Sequence, residues 1–140
     1  ALNTAQLTID LTDFLSDLPG TEADCAQAWA EILGDYTALI VPPVPPLAHS
    51  AAVLTLQGAL LGMAVPGAAL GVFQAALAAF AGSLAGAMPP APPGSNIPPP
   101  TPIALPFGGL YVTVADAVSA IAPVIDAWFR TGTSNGILWS

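Results

Sequence analysis

The fold is decided by the stretch AAVLTLQGALLGMAVPGAALGVFQAALAAFAGSLAGAM, residues 51–88, which consists almost entirely of small and aliphatic residues. Its strongly polar side chains are Gln57 and Gln74. A helix that is apolar on nearly every side has to be buried on most of those sides. We therefore expect two helices here, packed together as a tight hairpin at the centre of an all-α helical bundle of four to five helices.

Local signals place the ends of these two helices. Ser50 is a suitable N-terminal cap for the first helix, which should run to about Val65. Pro66 suits the first turn of the second helix, because proline lacks the N–H group that this turn leaves unpaired. The second helix should reach Met88, and the corner of the hairpin should be Val65-Pro66-Gly67.

Glycine recurs at four-residue spacing within the hairpin, in GALLG (58–62), GAALG (67–71) and GSLAG (82–86). Such pairs create flat faces on which the backbone of another helix can come close. The spacing predicts close helix packing, although a chain rich in alanine and glycine produces such matches readily.

Charge is missing from the centre of the chain. No charged residue lies between Asp35 and Asp116, and His49 is the one residue in this stretch that can take up a proton near neutral pH. Folded domains usually have about a quarter of their residues charged, so some other surface must cover this stretch. That cover is either protein or lipid, and the choice between them decides the function.

The overall charge excludes one class of partner. The chain has 140 residues, one domain by length, and its single basic residue, Arg130, stands against nine acidic residues for a formal net charge of -8. Direct nucleic-acid binding is not expected, because phosphate contacts need lysine and arginine to displace counterions. Seven carboxylates lie in the first quarter of the chain and should face water or a basic partner: Asp10, Asp13, Asp17, Glu22, Asp24, Glu31 and Asp35.

The acidic first part, residues 1–41, is predicted to form two amphipathic helices. The first should cover residues 4–18, although alternating apolar residues at its start leave a short strand open as an alternative. The second should begin at the capping box Thr21-Glu22-Ala23-Asp24 and reach about Val41. Residues 42–50 are then a Pro-rich loop.

The rest of the chain divides into an arm, a helix and a tail. Residues 89–110 are Pro-rich and are predicted to be an extended arm docked on a neighbouring surface, with a free flexible linker as the alternative. Residues 111–131 contain the last helix, opened by a capping box at Thr113 and kinked at Pro123. The tail, residues 132–140, should use its tryptophan as an anchor in a partner's pocket. The candidate interface residues are Ile97, Ile103, Leu105, Phe107, Ile137, Leu138 and Trp139.

Residues that carry chemistry are too few and too scattered to predict a catalytic or metal site. The single cysteine, Cys25, and the single histidine, His49, lie in different segments without ligand spacing. His49 falls in the Pro-flanked loop, where a surface or packing role is expected. Asp126 and Arg130 are four residues apart on the last helix and should pair on its surface. No cofactor and no enzymatic activity are therefore predicted.

Three short patches give the chain a resemblance. The sequence CAQAWA at 25–30, IVPP at 40–43, the Ala-rich middle and WFRTGT at 128–133 resemble small structural proteins of tailed bacteriophage virions. The resemblance implies a non-enzymatic accessory part of a tail, baseplate or capsid, located in the virion and assembled in the host cytoplasm. It transfers no functional residue to this chain.

Two interpretations of the uncharged centre remain open. In the first, other structural proteins and copies of the chain itself cover the surface, as in obligate interfaces that resemble a domain core. In the second, residues 51–88 form a membrane-inserted hairpin of a holin-like or channel-like protein. The first limb of that hairpin is short for a span of about 20 residues, and no lysine or arginine flanks it to set topology. The sequence therefore favours the structural subunit.

The first residues also lack the pattern of a signal peptide, so synthesis in the cytoplasm is expected.

Overall fold

The computed structural model describes residues 1–63, 68–89, 96–107 and 109–140, and within them the fold is all-α. The described residues contain five helices, which form the bundle, and a small antiparallel sheet with the strand order β1-β2-β3. The helices are α1 (Thr4–Ser16), α2 (Glu22–Thr37), α3 (Pro46–Ala59), α4 (Ala69–Ala87) and α5 (Val114–Phe129). The strands are β1 (Asn96–Ile97), β2 (Thr133–Ser134) and β3 (Ile137–Leu138).

The threonines of the two predicted capping boxes cap helices. The Thr21 hydroxyl accepts a hydrogen bond from the backbone N–H of Asp24 at 3.1 Å, and the Thr113 hydroxyl accepts one from Asp116 N–H at 3.1 Å. Each threonine has extended backbone geometry and satisfies one of the unpaired N–H groups of a first turn. The start of the chain is helical, so the alternative of a short strand in α1 is wrong.

Three predicted helix boundaries are wrong. Helix α3 ends at Ala59, six residues before the predicted end at Val65. Helix α3 begins at Pro46, four residues before the predicted cap Ser50, because proline is well placed in a first turn. The histidine of the predicted loop, His49, is therefore on a helix. Helix α2 ends at Thr37 and does not reach Val41. The predicted corner of the hairpin, residues 65–67, lies outside the described residues.

Aromatic side chains hold the helices together around one core. Helix α1 packs against α2 and α5, and α3 packs against α2 and α4. The ring of Trp29 makes edge-to-face contacts with Phe14 and Phe73, at centroid distances of 5.5 and 4.8 Å. Phe129 contacts Tyr36 and Phe80 in the same way at 5.5 and 6.2 Å. Such pairs stabilise a core beyond the area that they bury.

The two helices of the apolar hairpin differ in burial. In α4 seven side chains are buried, but in α3 only Ala52 and Leu56 are. The prediction that both helices are buried on most sides is therefore wrong for α3. Its outer face is apolar and exposed.

The described part of the Pro-rich arm docks on its own chain. Ile103 and Leu105 belong to the core, and β1 pairs with β2 of the tail. Two side chains fix the arm from the helices: Gln74 Nε2 donates to Ile103 O at 3.1 Å and Trp128 Nε1 donates to Pro100 O at 2.7 Å. The alternative of a free linker is wrong for residues 96–107, and residues 90–95 of the arm lie outside the described part.

Candidate interaction surface

Five exposed residues form a straight stripe along the outer face of α3 and the turn after it. Leu47, Ala51, Leu54, Gly58 and Leu61 follow one another at intervals of four, three, four and three, and all are exposed. The three leucines expose 87%, 68% and 52% of their surface. This is the spacing of the a and d positions of a coiled coil, which repeats every 3.5 residues. We call these five residues the α3 seam.

The opposite face of α3 explains why the seam points outward. Ala52, Leu56 and Leu60 face the core and are buried. On the α2 side, a Cβ on Gly34 would meet Val53 Cγ2 at 3.0 Å, so α2 and α3 are in close contact there. Helix α3 cannot rotate to bury the leucines of the seam without exposing this inner face.

The last residue of the seam is held by a cap. Gly62 follows Leu61 with φ of +101°, a left-handed conformation that favours glycine at the end of a helix. Its backbone N–H donates to the Glu22 carboxylate at the start of α2. The end of the seam is thus attached to a neighbouring helix.

The glycine pairs that predicted close helix packing are open. A Cβ added at Gly58, Gly71, Gly82 or Gly86 would meet nothing within 4 Å. Their flat faces therefore do not serve packing within the chain. Gly67 lies outside the described residues.

A groove between α2 and α3 borders the seam, with a volume of about 510 Å³. His49 lies in its wall, and His49 Nε2 is 3.0 Å from Thr37 Oγ1. The Thr37 hydroxyl donates its own proton to Leu33 O at 2.8 Å, so the ring nitrogen is the donor in this pair. Burial lowers the pKa of His49, against opposing effects of a backbone hydrogen bond with Gly34 and the Asp35 carboxylate. The neutral ring therefore links α3 to α2.

A polar cluster around Asp126 joins three helices. Asp126 Oδ1 accepts hydrogen bonds from Thr4 Oγ1 at 2.8 Å and from Tyr36 OH at 2.7 Å. Arg130 Nε donates to the same oxygen at 3.0 Å, which confirms the predicted ion pair. Burial, the hydrogen bond to Asp126 and its negative charge raise the pKa of Tyr36 above its ordinary value. The cluster stabilises the packing of α1, α2 and α5.

No protein-family model, curated protein or solved structure is significantly similar to this chain. The function is therefore inferred from the surfaces of the described residues.

The acidic part of the chain forms a second groove, of about 400 Å³, between α1 and α2. Its floor includes Phe14 and Ile32, and its rim is lined by carboxylates: Asp10, Asp13, Asp17, Glu31 and Asp35. Several acidic residues of the first quarter of the chain are thus gathered at one groove.

The predicted interface residues fall into three groups by burial. Trp139, Ile103 and Leu105 are buried in the core of their own chain, with Trp139 only 1% exposed. The prediction that Trp139 is an anchor for a partner's pocket is therefore wrong, since its pocket is intramolecular. Phe107 is half-buried and contacts Phe73 at a centroid distance of 5.0 Å. Three residues remain exposed: Ile97 (56%), Ile137 (72%) and Leu138 (62%).

Sequence reasoning missed the α3 seam. The signal was present as the four-three spacing of Leu47, Ala51, Leu54, Gly58 and Leu61. It was hidden because the residues between them are also small or aliphatic, so no polar face marks the boundary of the stripe. A helix without polar contrast gives no indication of which of its faces is outside.

Two further observations concern metal binding and the length of apolar helices. Among the described residues, no group of three or more His, Cys, Asp or Glu side chains could hold a metal ion. The same residues include one helix, Ala69–Ala87, that is long and apolar enough to cross a membrane by length and composition. In that helix 39% of the most apolar window is buried inside the fold. Core helices of other proteins also pass this test of length and composition.

Proposed function

We propose that this chain is a non-enzymatic structural subunit of a large protein assembly, an accessory component of the tail, baseplate or capsid of a bacteriophage virion. Its partners are other structural proteins and copies of itself, without direct contact to nucleic acid. It is assembled in the host cytoplasm, and its location is the virion. The observation that carries this proposal is the exposed apolar surface of a chain that has already buried a core.

The size of the surface supports this proposal. The accessible area is 7030 Å², close to the roughly 6,700 Å² that scaling gives for a folded monomer of 14.0 kDa. The chain therefore folds on itself to an ordinary extent, and its described residues still expose 13 large apolar side chains. Apolar surface of this kind, when contiguous, marks interaction sites.

The distribution of charge supports the same proposal. The exposed apolar residues of α3 lie in the stretch between Asp35 and Asp116 that has no charged residue. The core of an obligate interface is depleted in charged residues in the same way. A subunit of an assembly needs an uncharged apolar surface for its contacts. In an isolated protein the same surface promotes aggregation.

A membrane hairpin, holin-like or channel-like, is the alternative that one observation favours. Helix α4 passes the test of length and composition for a membrane span. Its companion α3 has only 14 residues, however, against the ~20 that a span needs. The buried face of α4 would also have to leave the core before it could face lipid.

Fractionation of the native source without detergent tests the proposal. The lysate is divided between a sucrose density gradient and a membrane flotation gradient, and the chain is followed in both by mass spectrometry of its peptides. We expect it in dense particles that keep it after a detergent wash. Recovery in floating membranes, with release only by detergent, would contradict the proposal and support the membrane hairpin.

A further inference from the structure

We infer that the α3 seam binds the α3 seam of a second copy of this chain, antiparallel, about a two-fold axis at Leu54. This inference rests on the proposed function. It names a second copy of the chain as one partner and the α3 seam as the surface that contacts it. It is carried by the spacing, size pattern and charge of the seam.

The spacing of the seam selects a helix as its occupant. A repeat of 3.5 residues keeps a stripe straight along a helix that winds around another helix, and each side chain then enters a hole between four residues of the neighbour. Within α3 the seam keeps this repeat from Leu47 to Gly58, a length of about 17 Å at the helical rise of about 1.5 Å per residue, and Leu61 follows in the turn after the helix. A lipid surface or an extended peptide would not require this spacing.

The sizes of the side chains make the seam complementary to itself. In the antiparallel arrangement Leu47 of one copy lies opposite Leu61 of the other, and the two Leu54 side chains meet at the axis. Ala51 then lies between Leu54 and Leu61 of the second copy, and Gly58 lies between Leu47 and Leu54. Leucines therefore meet leucines at three levels of the contact, and between these levels the small Ala51 and Gly58 let the two backbones come close.

The open space at Gly58 fits this arrangement. A Cβ at this position would meet nothing within 4 Å of the same chain, so the backbone here is free to contact a second helix. Leu47 and Leu54 are 87% and 68% exposed, and from a second copy in this register they reach the space at Gly58 from its two sides. A two-fold axis lets each copy supply both the leucines and the glycine.

Charge favours this face over the acidic grooves as the place where two copies meet. Each copy has a net charge of -8, and the seam contains no charged residue. Glu31 and Asp35 line the groove beside the seam and would remain at the rim of the contact. Two copies that met through the α1–α2 groove would instead bring their carboxylates together, which destabilises a contact.

The short length of the seam sets the expected strength. Stable interfaces bury about 800 Å² on each partner, more than one stripe of five residues supplies. We therefore expect weak association of the isolated chain, strengthened in an assembly where copies are held at high local concentration. Cross-linking at a defined position detects such a contact better than a bulk measurement of mass.

Cysteine cross-linking of the purified full chain tests the register. In a Cys25→Ser background, Leu54→Cys should form a disulfide-linked dimer on mild oxidation, because the two positions meet at the axis. Leu47→Cys alone should not, whereas an equimolar mixture of Leu47→Cys and Leu61→Cys should give the mixed dimer. Leu110→Cys is the matched control, since Leu110 is 100% exposed and lies outside the seam.

The outcomes separate the alternatives. Faster cross-linking of Leu110→Cys than of Leu54→Cys would mean that exposure alone controls the reaction and would overturn the inference. Efficient homodimers of Leu47→Cys would overturn the antiparallel register. Flotation of the uncross-linked chain with neutral phosphatidylcholine vesicles, lost on Leu54→Glu, would assign the seam to lipid and also overturn it.

A second variant keeps the inference testable if cysteines disturb the fold. Leu54→Glu places two like charges at the axis and should weaken dimerisation at least about tenfold in sedimentation equilibrium, with an unchanged circular dichroism spectrum. An unchanged dimer would count against the seam. These experiments use the purified chain, whereas fractionation of the native source tests the proposed function. A chain that does not dimerise could still be found in particles, and a chain absent from particles could still dimerise.

Discussion

At the scale of single residues, Trp139 depends on the absence of a side chain at Gly132. A Cβ there would lie 2.4 Å from two ring atoms of Trp139. The indole Nε1 donates to Ser134 Oγ at 3.1 Å, and Trp139 N donates to Gly132 O at 2.8 Å. One hydrogen bond thus holds the indole and another holds the backbone of Trp139, and both oppose movement of the ring away from an added methyl group.

We predict that Gly132→Ala destabilises the fold by about 1–3 kcal/mol, because overpacking in a buried site forces side chains out of their preferred rotamers. Urea unfolding followed by circular dichroism measures this. Gly20→Ala is the control, since a Cβ at Gly20 meets nothing within 4 Å and the backbone there has no positive φ. Equal stability of the two variants would show that the contact with Trp139 is relieved at no cost.

A second residue-scale prediction concerns Tyr36, whose hydroxyl donates to Asp126 at 2.7 Å. Because the pKa of Tyr36 is raised on folding, the folded state holds the phenol proton more tightly than the unfolded state does. Its contribution to stability is complete below the unfolded pKa of about 10 and is lost as pH rises through the folded pKa.

Tyr36→Phe should therefore reduce the free energy of unfolding by about 1.5–3 kcal/mol at neutral pH, the range for hydrogen bonds to charged groups. The natural chain should lose stability between pH 9 and about 11, and Tyr36→Phe should lose less stability over the same range. Urea titrations at several pH values measure both effects, with Tyr111→Phe as the control for the other tyrosine. The same pH dependence in Tyr36→Phe as in the natural chain would exclude Tyr36 as its source.

At the scale of elements, the start of α5 depends on one hydroxyl group. Thr113 Oγ1 accepts from Asp116 N–H, and its loss leaves that donor unpaired. Thr113→Ala should cost about 1 kcal/mol, the usual value for an N-terminal cap. Thr12→Ala is the control, because the Thr12 hydroxyl only bonds back to Thr8 O within α1 and should change stability by less than about 0.5 kcal/mol. Thermal unfolding compares the two, and an equal effect would contradict the assigned cap.

The elements also show what could be predicted from the sequence. The all-α class, the two threonine caps and the pairing of Asp126 with Arg130 follow from spacings of three and four residues, which act within one helix. The start of α3 was missed because Pro46 and Ser50 are both good first-turn signals, and local chemistry does not choose between them.

The outer face of α3 and the pocket of Trp139 required the tertiary structure. Both depend on residues distant in the chain, such as Gly34 beneath Val53 and Met88 beside Ser134. An apolar side chain has the same composition signal whether its own chain or another covers it. Ile103 and Ile137 were therefore predicted to have the same role, although one is buried and the other is 72% exposed.

At the scale of the whole molecule, most carboxylates lie on α1 and α2, whereas the α3 seam has no charged residue, although Glu31 and Asp35 line the groove beside it. Carboxylates of α1 and α2 line the acidic groove, and the uncharged stretch after Asp35 supplies the α3 seam. This separation lets one part keep the chain hydrated while another remains free for contact. The apolar surface should then be dispensable for folding.

Replacing Leu47 and Leu54 together by glutamine tests that separation. Glutamine is a good helix former and both leucines are mainly exposed, so we predict a change of less than about 1 kcal/mol in the free energy of unfolding. The variant should also bind less of an apolar dye. Leu56→Ala is the control on the buried face of the same helix, where the loss should be about 2–5 kcal/mol. If the double variant were destabilised as strongly as Leu56→Ala, the seam would be part of what holds the single chain together and not a surface reserved for another.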